Sequence, residues 1–191
     1  MNYLAHFYLS DTPKILLGNF LGDFVKGKQL NEYDSEIRQG IIWHREIDAF
    51  SDAHPAFRRT KKRVVPHFGH YSSVAVDLYY DHLLAKNFSN YSPVSLPDFA
   101  GQCYAVLNQQ IEQMPETARR VLHSMAANDW LTHYSTCGGM QRAFDGVSKR
   151  ASFPTGFQMG IKVLAENIKD FSEDFNIFFD SVRQFRQRKM C

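Results

Sequence analysis

The chain has 191 residues, of which 44% are hydrophobic and 22% are charged, and its formal net charge is +2. This length and composition supply one sizeable core, so we predict a single domain over residues 1–191. The small net charge gives no reason to expect a nucleic-acid partner.

The cysteines number three, and they include no C-x-x-C pair: Cys103, Cys137 and Cys191. Such a set predicts free, mostly buried thiols in a reducing compartment and argues against a thiolate ligand for a metal. The first residues lack the basic and apolar segments of a signal peptide, and no window approaches about 18 uncharged apolar residues. We therefore predict a cytoplasmic protein without a membrane span.

Helical periodicity, interrupted by proline and glycine, extends over most of the chain and predicts an all-α, single-domain helical bundle. In chain order, the first four predicted helices run from a cap at Asp11 or Thr12 to Gly27, from Asp34 or Ser35 to about Phe50, from near Pro55 to before Pro66, and from Tyr71 to Phe88. Residues 89–97 are predicted to form a surface connection.

The second half of the chain also predicts helices. Pro97 and Pro115 stand where a proline opens a helix, and we expect the Gly138-Gly139 pair to break the helix that contains Trp130. From residue 156 to residue 189 the apolar spacing is again helical, and we expect a break near residues 170–174.

Two of these helices carry acids and histidines where a helix normally carries leucine. Ile37, Ile41, His44 and Asp48 share one helical stripe, so an apolar face continues into an imidazole and a carboxylate. Burying unpaired carboxylates costs several kcal/mol, so a native chain tolerates this pattern when a positive charge lies between them. A divalent metal is the simplest candidate.

The second such helix places Asp77 and Asp81 four residues apart, with His82 beside them. Imidazole and carboxylate without thiolate are typical ligands of manganese, iron, magnesium or catalytic zinc. The candidate ligands therefore come from four places: His6, Asp23, the His44 and Asp48 pair, and the Asp77, Asp81 and His82 group. The alternative interpretation is that these are hydrogen-bonded core pairs and an ordinary exposed helix turn.

Four sequence blocks also carry a family resemblance: MNYLAH at 1–6, GNFLGDF at 18–24, GIIWHREID at 40–48 and DLYYDH at 77–82. With a weaker echo from Trp130 to Arg150, they resemble bacterial acyl carrier protein phosphodiesterases, the hydrolases that remove 4'-phosphopantetheine from holo-acyl carrier protein. The resemblance implies an all-α fold related to the HD-type phosphohydrolases, with a divalent ion at its centre. That ion would be Mn²⁺, with Mg²⁺, Fe²⁺ or Zn²⁺ as alternatives.

The resemblance also implies site residues. Asp23 is the first position carried over as essential, and further motif positions fall on His6, His44, Asp48, Asp77 and Asp81. We expect the metal ligands to be His6, Asp23, His44, Asp77 and Asp81.

A phosphodiester in such a site needs a base, an acid and a cation. Asp48 or Asp77 would hold or deprotonate the attacking water, and His82 or His6 would protonate the serine oxygen that leaves. Arg45 is the best candidate for a phosphate clamp, because its guanidinium matches phosphate geometry. We therefore expect Asp23, Asp48, His82 and Arg45 to be the catalytic residues.

A run of basic residues offers a surface for the acidic carrier protein. Five positive charges fall within six residues: Arg58, Arg59, Lys61, Lys62 and Arg63. On a helix they would form a positive patch, and such a patch is either simply solvated or, as the acidic partner suggests here, steers that partner toward the site.

Two other functions compete with this one. An HD-like phosphohydrolase for nucleotides or another small phosphodiester would use the same metal centre. A non-catalytic helical adaptor would use only the basic patch and would need no metal.

Overall fold

The computed structural model describes residues 1–190, and over this range it contains helices and turns without any strand. The ten α-helices are α1 (Tyr3–Tyr8), α2 (Pro13–Leu21), α3 (Ser35–Ala53), α4 (Pro55–Phe68), α5 (Ser72–Lys86), α6 (Leu96–Gln109), α7 (Glu116–Ala127), α8 (Trp130–His133), α9 (Cys137–Ser148) and α10 (Gly160–Met190). The all-α class is confirmed. A relation to the HD-type phosphohydrolases stays a prediction.

Side-chain caps fix where α2 and α3 begin. The Thr12 hydroxyl accepts a hydrogen bond from the Ile15 amide at 3.2 Å, with Pro13 in the first turn. The Asp34 carboxylate accepts from the amides of Glu36 and Ile37, both at 3.0 Å. These caps satisfy amides that have no partner within the helix, as the sequence predicted.

Helix α2 ends at Leu21, well before the predicted end at Gly27. The amides of Phe24 and Val25 both bond back to the Leu21 carbonyl, which closes a turn there. Asp23 therefore lies in a turn just after the helix, and its side chain faces α3.

Helices α2 and α3 cross at a pair of glycines. A Cβ atom on Gly18 would overlap the carbonyl oxygen of Ile37 and would lie 2.7 Å from the Gly40 Cα atom. Only glycine lets the two backbones approach this closely. The contact places the residues that follow Gly18 beside the second half of α3.

Three other predicted boundaries are wrong. Helix α4 continues through Pro66 to Phe68, since a proline in the last turn removes one backbone hydrogen bond near exposed residues only. The Gly138-Gly139 pair lies in the first turn of α9 rather than at the end of a helix. Helix α10 has no break near residues 170–174, because Asp174 is buried there and bonds to arginines of α4.

Helix α1 was not predicted. It has only six residues, and its amide groups are capped by a side chain that is distant in the sequence. Local periodicity cannot reveal a helix of this length, because a single turn or two is stabilised by tertiary contacts.

One buried cluster of aliphatic and aromatic side chains runs through the described helices. Its largest members pack between α5 and α10, as in the stacked pair of Tyr79 and Phe171 and the tilted pair of Tyr80 and Phe178. Among residues 1–190, no helix has the length and apolar character needed to cross a membrane.

The predicted burial of the cysteines holds for only one of the two that can be described. Cys103 is buried, whereas Cys137 is exposed in the first turn of α9, and both are free. Cys191 lies outside the described residues.

Candidate active site

The His44 side chain is held in one orientation by α2. Its Nδ1 atom lies 2.8 Å from the Asn19 carbonyl oxygen and 3.2 Å from the Asn19 Oδ1 atom. Both partners are acceptors, so Nδ1 carries a hydrogen and Nε2 is directed toward the carboxylates of the site. A Cβ atom on Gly22 would overlap the His44 ring, so this position admits only glycine.

The ring of His6 stacks on the ring of His44, with 4.1 Å between the centroids and 12° between the planes. Asn19 also contributes here, because its side-chain amide donates to the His6 carbonyl oxygen at 2.8 Å. The single asparagine of the GNFLGDF block therefore positions both histidines.

Asp48 lies at the centre of the site. Its Oδ1 atom is 3.2 Å from His6 Nε2, and its Oδ2 atom is 3.2 Å from His44 Nε2. The same Oδ1 atom accepts a hydrogen bond from the amino group of Met1 at 3.0 Å. Three positive or polar groups thus converge on one carboxylate.

The charges of the two histidines differ. Burial alone would lower the pKa of His44, but the carboxylates of Asp23 and Asp48 raise it to about 9. Burial lowers the pKa of His6 to about 4, and the neighbouring His44 adds to this effect. At neutral pH one imidazole of the stack is therefore charged and the other is neutral.

Two further carboxylates border this group. Asp23 Oδ1 lies 3.5 Å from His44 Nε2, and Asp77 Oδ1 lies 3.2 Å from the amino group of Met1. Burial alone would raise the pKa of Asp23, but the hydrogen bond and the charge of His44, together with His6, lower it overall. The pKa of Asp77 is raised by burial, and its Oδ1 atom has no hydrogen bond of good geometry.

These atoms could hold a metal ion. One ligand atom each from His6, His44 and Asp48 lie within 4.8 Å of one another. The donor set is imidazole and carboxylate, which suits a divalent ion, and the His44 Nε2 atom is directed into the group by the bonds at Nδ1. His6 and His44 were predicted as ligands, whereas Asp48 was predicted as a catalytic residue.

Asp81 lies elsewhere, at the start of α1. Its two oxygens accept hydrogen bonds from the amides of Leu4 and Ala5 at 2.8 and 3.1 Å. Burial raises its pKa to about 7, although these two bonds act in the opposite direction. The structure thus commits Asp81 to capping α1, which in turn carries His6 into the site.

His82 and Arg45 also point away from the group. His82 Nδ1 lies 2.7 Å from the Tyr134 carbonyl oxygen, and burial lowers the pKa of this imidazole. Arg45 is exposed and donates to the Val25 carbonyl oxygen at 2.9 Å. The helical stripe explains the difference, since residues adjacent to His44 and Asp81 in sequence face other directions.

Two arginines of the basic run form ion pairs within the protein. Arg59 and Arg63 of α4 bond to the buried carboxylate of Asp174 at 2.6 and 2.7 Å. They therefore join α4 to α10 rather than forming an open patch. Arg58 and Lys62 remain exposed, and Lys61 is partly exposed.

A cavity of about 400 Å³ opens beside the histidine and carboxylate group. The carboxylates of Asp23, Asp48 and Asp77 form one part of its wall. Apolar side chains of α5 and α9 form another part, and two arginines, Arg142 and Arg150, complete it. This volume is within the range of small-molecule sites.

The sequence did not predict several residues of this cavity. Arg142, Arg150 and His133 line the cavity and had no predicted role, and neither did Asn19, which positions His6 and His44 from outside the cavity lining. One sequence pattern could have indicated the arginines. Gly139, Ala143 and Gly146 form a stripe of small residues on one face of a helix, and Arg142 and Arg150 follow the same spacing. Nothing in the sequence shows that this face meets the carboxylates.

Comparison with known proteins decides the family. The family model described as acyl carrier protein phosphodiesterase matches residues 1–182. The chain belongs to the acyl carrier protein phosphodiesterase family. The four N-terminal blocks that carry the resemblance supply every histidine and carboxylate of the group around Asp48.

Curated proteins with the same name are similar over nearly the whole chain. The acyl carrier protein phosphodiesterase of Yersinia pestis is 25% identical over 99% of this chain and 99% of its own length. The protein of that name from Pectobacterium atrosepticum is 29% identical over 100% of this chain and 96% of its own length. No solved structure matches this member of the family.

Proposed function

We propose that this acyl carrier protein phosphodiesterase is a metal-dependent hydrolase that releases 4'-phosphopantetheine from the serine of holo-acyl carrier protein and leaves the apo form. The observation that carries the proposal is the position of Asp48, which contacts His6 and His44 on one side and borders a cavity of about 400 Å³ on the other. A phosphodiester in this cavity would lie directly beside the carboxylates.

The proposed ion is divalent, and Mn²⁺ is our first choice because histidine and carboxylate form the donor set. When bound, such an ion would lower the pKa of a water molecule and neutralise charge on the phosphoryl group. His6, His44 and Asp48 would hold it, with Asp23 and Asp77 as the remaining carboxylates in reach.

The residues of the chain would divide the work of proton transfer. Asp23 has a side chain that is 54% exposed and lies 3.5 Å from His44 Nε2, so its carboxylate is accessible to accept a hydrogen bond from the attacking water and to orient it. The serine oxygen that leaves requires a proton. His82 does not line the cavity, so we assign this role to His133, which does.

The orientation of His133 suits this role. Its Nδ1 atom faces the carbonyl oxygens of Asn128 and Asp129 at 3.0 and 2.9 Å, so Nδ1 carries a hydrogen. The Nε2 atom is then the one available to a ligand, and it can donate when the ring is protonated.

Incubation of the purified protein with holo-acyl carrier protein tests the function. We expect conversion to the apo form in the presence of Mn²⁺, seen as a mobility shift and as released 4'-phosphopantetheine, and no conversion after chelation. A panel of nucleotides and small phosphodiesters should be poor substrates. Hydrolysis of nucleotides without any release of 4'-phosphopantetheine would favour the alternative phosphohydrolase.

We further propose that the cations of α4 that remain open, Arg58, Lys61 and Lys62, steer the acidic carrier protein. The double substitution Arg58→Glu with Lys62→Glu should lower kcat/KM for whole carrier protein by about tenfold at low salt, because charge reversal slows association. The salt dependence of kcat/KM should flatten as well. An unchanged kcat/KM with an unchanged salt slope would remove the docking role.

The same proposal places the protein in the cytoplasm. An acidic carrier protein is the substrate, and Cys103 and Cys137 are free thiols, as expected in a reducing compartment.

A further inference from the structure

One wall of the cavity comes from a single face of α9 and the turn that follows it. The lining residues recur every three or four positions: Gly139, Arg142, Ala143, Gly146, Val147 and Arg150. This spacing places the first five of them on one side of α9, and Arg150 follows in the turn after the helix. Small residues alternate with two arginines, so this part of the cavity wall has space beside the small residues and positive charge at the arginines.

The two lining glycines of this face have different surroundings. A Cβ atom on Gly139 would overlap the His133 carbonyl oxygen, so this glycine lets α8 and α9 pack closely. A Cβ atom on Gly146 would meet no atom within 4 Å. Packing therefore does not require a glycine at position 146, and the space in front of it belongs to the cavity.

Arg142 and Arg150 are exposed, and neither takes part in an ion pair within residues 1–190. Three carboxylates of the cavity, those of Asp23, Asp48 and Asp77, already contact His6, His44 or the Met1 amino group, and Asp52 also lines the cavity. Tyr3 lines the same cavity; burial and the charge of Asp23 raise the pKa of its hydroxyl, and Arg150 opposes this effect. The cavity thus presents two guanidinium groups that have no ion-pair partner among residues 1–190.

A ligand that matches this wall has an anionic group at one end and a thin, flexible chain. Guanidinium groups pair with phosphate oxygens through two parallel hydrogen bonds. The gap at Gly146, with Val74 and Leu78 of α5 in the same cavity, suits a narrow, largely apolar chain.

We propose that this surface of α9 and the following turn, the α9 wall, binds the 4'-phosphopantetheine arm of the substrate. Arg142 and Arg150 would bind the phosphate, and the open space in front of Gly146 would hold the pantetheine chain. This inference rests on the proposed function and adds the residues that recognise the substrate. It also assigns different roles to these residues: the arginines bind the phosphate, and the space at Gly146 selects for a narrow chain.

Calorimetric titration with 4'-phosphopantetheine and with pantetheine tests the arginines. Arg142→Ala and Arg150→Ala should each lower the preference for the phosphorylated over the unphosphorylated ligand by roughly 10- to 100-fold, the usual effect of losing a hydrogen bond to a charged group. Arg188→Ala removes an exposed charge of α10 and should leave the preference unchanged. Equal preference in all four proteins would overturn the assignment of the phosphate.

A second pair of variants tests the gap. Gly146 and Gly101 both lie inside helices, and an added Cβ atom meets nothing within 4 Å at either position. Gly146→Leu should weaken the binding of both ligands about tenfold or more, because the leucine side chain fills the space for the chain. Gly101→Leu, on the exposed face of α6, should bind both ligands as the wild type does. Wild-type binding by Gly146→Leu would show that the chain lies elsewhere.

These results are distinct from a failure of the proposed function. If the wild-type protein does not convert holo-carrier protein, the function itself is wrong. If the wild type converts it and binds 4'-phosphopantetheine while the three α9 variants behave like the wild type, only the assignment of the α9 wall is wrong.

Discussion

Asp48→Asn is expected to abolish turnover of holo-acyl carrier protein, with a loss of about 10³-fold or more in kcat/KM. The affinity for Mn²⁺ should fall by at least about 100-fold, since loss of residues that only support a ligand already costs 10- to 100-fold. The reason is the position of Asp48, whose oxygens lie 3.2 Å from both His6 and His44. The amide keeps the shape of the side chain and removes its charge.

Metal content, Mn²⁺ titration and the carrier conversion assay measure the effect. Asp180→Asn provides the control, because this carboxylate is 68% exposed on α10 and forms an ion pair with Arg183 of the same helix, away from the site. Thermal unfolding of both variants separates a lost site from a lost fold. Retention of full metal affinity by Asp48→Asn would show that the ion is bound elsewhere or is absent from the reaction.

Gly18→Ala is expected to destabilise the protein by about 3 kcal/mol or more. The added methyl group would overlap the carbonyl oxygen of Ile37, and backbone cannot move aside as a flexible side chain can. Helices α2 and α3 would have to separate. Asn19 and Asp23 would then move away from His44, so activity should fall together with stability.

Denaturant unfolding measures this change, and Gly101→Ala is the matched control. At position 101 the methyl group meets nothing within 4 Å, so the substitution should stabilise α6 by roughly 0.5–1 kcal/mol through helix propensity. A stability of Gly18→Ala within 1 kcal/mol of the wild type would mean that the close crossing of α2 and α3 is not required.

The sequence predicted the parts of the fold that are governed by local chemistry. Thr12 and Asp34 act as caps where they were expected, and the stripe of Ile37, Ile41 and His44 is buried as its spacing indicated. The sequence-based predictions of helix boundaries failed where contacts with distant residues determine the structure. Asp174 is satisfied by arginines of α4, so α10 continues where its sequence suggested a break.

In the candidate site, too, the sequence predicted the contacts set by local spacing and missed those that depend on distant residues. His44 and Asp48 lie on one helix at a spacing that forces them together, and the motif blocks added His6 and Asp23. The spacing of Asp77 and Asp81 predicted a shared centre, yet Asp81 caps α1 while Asp77 faces the cavity. Residues four apart share a stripe over a length of about 6 Å, which is enough to reach two different neighbours.

The stacked imidazoles have a consequence for how the protein would load its ion. His44 holds a proton up to about pH 9, and the same nitrogen that holds it would have to bind the metal. Binding of a divalent ion would then be an exchange of cations, in which the ion takes the place of the proton on His44 Nε2 and that proton is released to solvent. Acidification would favour the reverse exchange, so the affinity of the site for the ion would fall as the pH is lowered.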